Sequence, residues 1–168
     1  MSKAFFVWLN QFCESLEATP VSQTIQKVLW IIPTIQIVHI LAIAAVAGSA
    51  LMINARLLGL LDRDLPMRDV ARRFLPVIWW ALPVLLTTGL LMIVGEPARS
   101  LKNPIFQTKV ALILLAIAHI AVFQARLART PVGFDATHGG RLRAILFALS
   151  SLTIWIAIIF AGRWIAYY

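Results

Sequence analysis

The chain alternates long apolar stretches with short polar ones, and the apolar stretches exceed what one buried face of a soluble element needs. Four of them, at about residues 29–51, 75–94, 105–127 and 144–165, approach the ~20 apolar residues required to cross a ~30 Å hydrocarbon core. None shows the period-2 alternation of a half-buried strand. Lipid also forces backbone amides to pair within a helix or a closed barrel, so each stretch is predicted as a transmembrane helix. Pro33, just inside the first, and Pro83, well inside the second, predict a kink or local opening in both helices.

A different pattern precedes the first span. Across residues 3–17, Phe5, Trp8, Leu9, Phe12 and Leu16 share one helical face, while Asn10, Glu14 and Glu17 lie away from it. An amphipathic helix lying in the membrane interface is expected there. The same polar residues interrupt the apolar stretch of a signal peptide, and no small-x-small cleavage site follows, so the segment reads as retained. Thr19-Pro20 then reads as an N-cap and first helical residue opening a new helix.

Residues 1–168 are thus expected to form a single membrane domain: all-α, an antiparallel four-helix transmembrane bundle with an N-terminal amphipathic helix. Small residues four apart, such as Ala45 with Ser49 and Ala44 with Gly48, predict close helix packing, aided by Ala116 in the third span and Ser151 in the fourth. Composition agrees with a membrane class. The 168 residues are 61% hydrophobic and 13% charged, with a mean hydropathy of +0.87, far from the roughly 25% charged residues of soluble domains. A net charge of +8 would ordinarily raise nucleic acid as a partner. Here the basic residues form no continuous patch, so no nucleic acid is expected and the charges read as topology signals. Arg56, Arg63, Arg68, Arg72 and Arg73 crowd the first connection, and Arg126, Arg129, Arg141 and Arg143 the third; both should face the cytoplasm, with both termini periplasmic. Trp30, Trp79, Trp80, Trp164, Tyr167 and Tyr168 fall near span ends as an aromatic belt. A lone Cys13 reads as apolar filler.

Three histidines carry the candidate chemistry. His138, flanked by glycines, reads as a solvated connection residue, whereas His39 and His119 lie within the first and third spans. These spans run in the same direction, and counting residues from their starts puts the two rings within about one helical turn in depth. A ring buried in lipid needs a partner. Ala42 leaves room beside His39, and Ala116 with Phe123 offers a gap and an aromatic wall beside His119. That arrangement would suit a haem b held between His39 and His119, or a metal, proton or quinone site at the same residues; histidines satisfied by neighbouring side chains fit equally well. Gln36, Thr87 and Thr88 are the nearest polar pocket-lining candidates, although they can also bond their own helices. Asn54 and Arg56 read as an interfacial anchor closing the first span, or as the start of an ion pair to Asp62 or Asp64. No carboxylate lies within a span, and no P-loop, dinucleotide fingerprint, HExxH helix or hydrolytic triad motif occurs.

The order LEATPVSQTIQKVLWIIPTIQIVHILAIAAVAGS, ARLLGL, FLPVIWWALPVLLTTGLLMI and NPIFQTKVALILLAIAHIAVF resembles, over nearly the whole chain, a widespread family of uncharacterised bacterial four-span inner-membrane proteins. The resemblance implies the fold and the inner membrane, without a biochemical role. Gln36 stands where similar sequences tend to carry an acid, and His119 where they tend to carry asparagine, so ligation by two histidines would be particular to this chain. The first span is also loosely similar to a histidine-then-glycine helix of copper-resistance membrane proteins. Three functions stay open: a b-type redox protein or redox-complex subunit working with a quinone or a periplasmic partner; a copper or small-ion transport or handling protein using His39, Gln36, Met52 and Met92; and a noncatalytic bundle that assembles as a homo-oligomer or within a larger membrane complex.

Overall fold

A computed structural model describes residues 3–61, 66–129 and 138–165. All its elements are helices: α1 (Lys3–Glu17), α2 (Pro20–Lys27), α3 (Ile31–Leu58), α4 (Met67–Gly95), α5 (Pro97–Leu101), α6 (Pro104–Arg129) and α7 (His138–Trp164). Four of these, α3, α4, α6 and α7, are long and apolar enough to cross a membrane. The chain is an all-α multi-pass membrane protein. Asp62, Asp64, Asp135, Tyr167 and Tyr168 lie outside the described residues.

The spans reach further than the apolar runs. α3 passes the predicted end at residue 51 and stops at Leu58, where Gly59 takes the left-handed conformation (φ 75°). Leu60 N–H then reaches Ala55 C=O at 2.9 Å and Gly59 N–H reaches Arg56 C=O at 3.1 Å, a Schellman closure that explains the Arg-Leu-Leu-Gly-Leu stretch. α4 begins at Met67, so Arg68, Arg72 and Arg73 belong to the helix and not to a connection. His138 likewise opens α7 instead of lying in a loop. Pro33 is the third residue of α3, where its missing N–H would have no intrahelical partner, and it therefore interrupts nothing. α4 stays helical through both Pro76 and Pro83.

α3 packs against α4 and α7, and α6 packs against α7. The core runs along one stripe of each: Val46, Ile53 and Leu57; Leu75, Ile78 and Ala81; Ile120, Phe123 and Leu127; Ala144 and Ala148. Small residues divide between two fates. Ala42, Ser49, Ala116 and Ser151 are buried in contacts, whereas Ala44, Ala45 and Gly48 face outward.

The short N-terminal helices close one end of the bundle. Thr19 caps α2 by accepting from Ser22 N–H, with Pro20 at the first position. Ser22 Oγ–H donates to Val94 C=O at 2.7 Å and Gln26 Nε2–H to Gly95 C=O at 2.9 Å, satisfying carbonyls that the end of α4 leaves without helical partners. Gly95 permits this approach, since a Cβ there would lie 2.9 Å from Ile25 Cγ2. α1 buries Leu9 and Cys13, while Trp8 and Phe12 stack on each other and stay exposed. The buried stripe is therefore rotated from the face that its large side chains predict. Asn103 starts α6, accepting from Ile105 N–H at 2.9 Å while donating to Ile165 C=O at 3.3 Å, which ties α6 to the end of α7.

Candidate functional site

His39 lies on the inward stripe of α3, and its Nδ1 sits 2.7 Å from Thr88 Oγ1 on α4. Thr88 is buried and has one hydroxyl proton, and its oxygen lies 2.6 Å from Val84 C=O. A carbonyl can only accept, so the hydroxyl proton goes to Val84 and His39 Nδ1–H must donate to Thr88. This proton count leaves Nε2 of the neutral ring with a lone pair. The ring lies along Gly89, whose position would place a Cβ 3.8 Å from His39 Cε1.

A residue absent from the predicted set completes this region. Lys109 falls at the start of the span expected over residues 105–127 without being one of its candidate residues; it lies five residues past Pro104, inside α6. Its charge acts on His39, and its Nζ lies 3.5 Å from the position a Cβ on Gly162 of α7 would take. The ammonium forms no ion pair among the described residues. Glycines at 89 and 162 thus flank a site to which α3, α4 and α6 contribute His39, Thr88 and Lys109. The clue was present in Asn-Pro-x-Phe-x-x-Lys, where Asn103 and Pro104 mark a helix start and so carry Lys109 into the span.

His119 belongs to a different place. Its Nε2–H donates to Phe147 C=O at 3.3 Å, and its ring stacks on Phe147 at a centroid distance of 3.8 Å and 21° between planes. Phe123 extends the stack, 5.7 Å from Phe147. The cavity touching His119 is about 20 Å³ and is lined on α3 by Ala50, Ile53 and Asn54. That is space for a single water and far too little for a porphyrin. His39 is eleven to fifteen residues from these neighbours along α3, hence roughly 16–23 Å away in depth. Metal–imidazole bonds near 2 Å would require both nitrogens within about 4 Å of each other. The structure therefore does not bring His39 and His119 together around one iron. Equal depth was inferred by counting each helix from its own start, but α6 begins deeper in the bundle than α3 does.

The remaining candidates disperse. Gln36 is exposed, and Thr87 is exposed and donates to Pro83 C=O of its own helix. Ala42, Ala116 and Phe123 are core residues, the last two beside His119 and not beside His39. Asn54 and Arg56 are buried, not spread at an interface: Asn54 is 2% exposed and donates to Ser151 Oγ at 3.0 Å, linking α3 to α7. Among the described residues no group of three or more His, Cys, Asp or Glu side chains gathers as a metal cage.

No curated protein and no solved structure matches the chain. A family of unknown function does match, across residues 21–168, so the spans and both histidine regions fall within it while α1 lies outside: the chain belongs to DUF6644.

Proposed function

We propose that this protein is a membrane subunit of a redox chain that binds a quinol-class molecule at His39 and Lys109, in a bacterial inner membrane with its arginine-rich connections cytoplasmic and both termini periplasmic. The observation that carries this reading is an imidazole held at Nδ1 by Thr88, its Nε2 without a partner among the described residues, with the charge of the Lys109 ammonium acting on it inside an apolar bundle. The two groups are complementary hydrogen-bonding partners: Nε2 accepts from a quinol hydroxyl, and Lys109 donates to the opposite oxygen. Thr88 holds the ring and fixes the tautomer. An ionisable side chain placed within a span is expensive, which favours a functional reason for Lys109.

The test is titration of the detergent-purified protein with decyl-ubiquinol, followed by tryptophan fluorescence. Saturable binding is expected, weakened roughly 10- to 100-fold in Lys109→Met, the range of one charge-assisted hydrogen bond, and clearly weakened in His39→Ala. Unchanged affinity in both variants would overturn the reading. A second reading, haem b on His39 alone, is favoured by the donation of Nδ1–H to a hydroxyl, which is how ligating histidines are commonly held. A Soret band that disappears in His39→Ala would establish it in place of the quinol.

A further inference from the structure

A separate apolar groove of about 560 Å³ runs between α3 and α4, with Val38, Leu41 and Ala42 on one wall and Pro76, Trp80 and Val84 on the other. His39 is not among its walls. From Pro76 to Val84 the groove follows eight residues, about 12 Å of helix, close to the ~15 Å of one leaflet in a ~30 Å core. Its floor is made by small residues, Ala42 and Ala81, and its side by Trp80, which is 79% exposed. At one end stand Arg72 and Arg73, four residues before Pro76 and Val77 and therefore on the same face, one turn further along. Both are exposed and neither forms an ion pair among the described residues, including with Asp69 a turn beyond.

We infer that this groove is a binding site for an anionic phospholipid, with an acyl chain laid along α3 and α4 and the phosphate held by Arg72 and Arg73. Charge separates this occupant from a second copy of the chain: the groove walls are wholly apolar, and the two exposed arginines one turn beyond them, with no ion pair among the described residues, offer counter-charge for a phosphate at the head of an acyl chain. Charge then selects the headgroup, because each arginine near the headgroup plane contributes about 1 kcal/mol toward an anionic lipid and nothing comparable toward a zwitterionic one.

The experiment compares native mass spectra of the full-length protein in detergent with added phosphatidylglycerol or phosphatidylcholine of identical chains. Wild type should retain phosphatidylglycerol in preference, and the double variant Arg72→Gln/Arg73→Gln should lose that preference by roughly fivefold per arginine. Val84→Trp, which places a ring in the groove from a partly exposed position, should weaken both lipids. Equal retention of the two lipids by wild type would overturn the proposal, and so would undiminished phosphatidylglycerol binding in Val84→Trp. A lipid-free dimer that Val84→Trp converts to monomer would assign the groove to a second copy instead.

Discussion

His39 and His119 are both imidazoles on apolar helices, yet they are held in opposite ways. His119 is closed in: Phe147 covers one face, the Phe147 carbonyl takes its Nε2–H, and the adjoining space is about 20 Å³. Among the described residues His39 is held at one nitrogen, by a threonine whose own hydroxyl donates to the helix backbone. Its other nitrogen is left as an acceptor, and the charge of Lys109 on α6 acts on the ring. A histidine bonded to a carbonyl and stacked on an aromatic ring is a packing element. One oriented by a hydroxyl, with its second nitrogen available, is prepared to meet something else. The position of a histidine in a hydropathy profile does not distinguish these cases, because both rings sit in equally apolar sequence.

The difference is broken most forcefully at the His119 end. Phe123→Ala removes a 2% exposed ring from the stack and should cost about 3–5 kcal/mol of stability, read by thermal unfolding in detergent. The fraction that remains folded should still bind decyl-ubiquinol as wild type does, since His39 is distant in depth; loss of binding in that folded fraction would show that the two ends are coupled. Gly95→Ala ranks next. A Cβ 2.9 Å from Ile25 Cγ2 must push α2 from the end of α4, with an expected cost of about 1–3 kcal/mol and faster proteolysis within residues 18–28; wild-type proteolysis would mean that Ile25 simply turns aside.

Gly59→Ala should lower stability by about 1–2 kcal/mol, since the Schellman closure holds this residue at φ 75°. Ser151→Ala takes the acceptor from buried Asn54 and should cost about 1 kcal/mol, within the range of interhelical hydrogen bonds in membranes. Lys109→Met gives the smallest structural effect with an opposite sign: stability unchanged or raised, because a half-buried ammonium with no ion pair among the described residues is replaced by an apolar chain of similar length. A drop of more than about 1 kcal/mol in this variant would make Lys109 a structural residue and erase the contrast between the two ends.

Much of the fold was legible in the chain because bilayer thickness translates directly into residue number. The four spans, the α1 helix at Lys3–Glu17 and the Thr19-Pro20 start all follow from composition, period and capping chemistry. Span ends were less legible. Arg68, Arg72, Asn54 and Arg56 look like the edges of apolar runs, but helices continue through polar residues that find a partner or reach the headgroups. The site was half legible. His39 and Thr88 were both visible as polar residues in apolar runs, whereas Lys109, near the start of the run at 105–127, was not singled out, because nothing within its own stretch brings it toward His39.

By itself the sequence determined class, span number and local punctuation, since these depend on the chain's own transfer energy and backbone preferences. Only the tertiary structure decided which polar residues meet. Helix register sets that outcome: with 1.5 Å of rise per residue, the offset between the starts of α3 and α6 is enough to move His119 away from His39 and to bring Lys109 toward it. The start of α6 is held in place by Asn103 donating to Ile165 C=O at the end of α7, a contact between distant parts of the chain that no single stretch encodes.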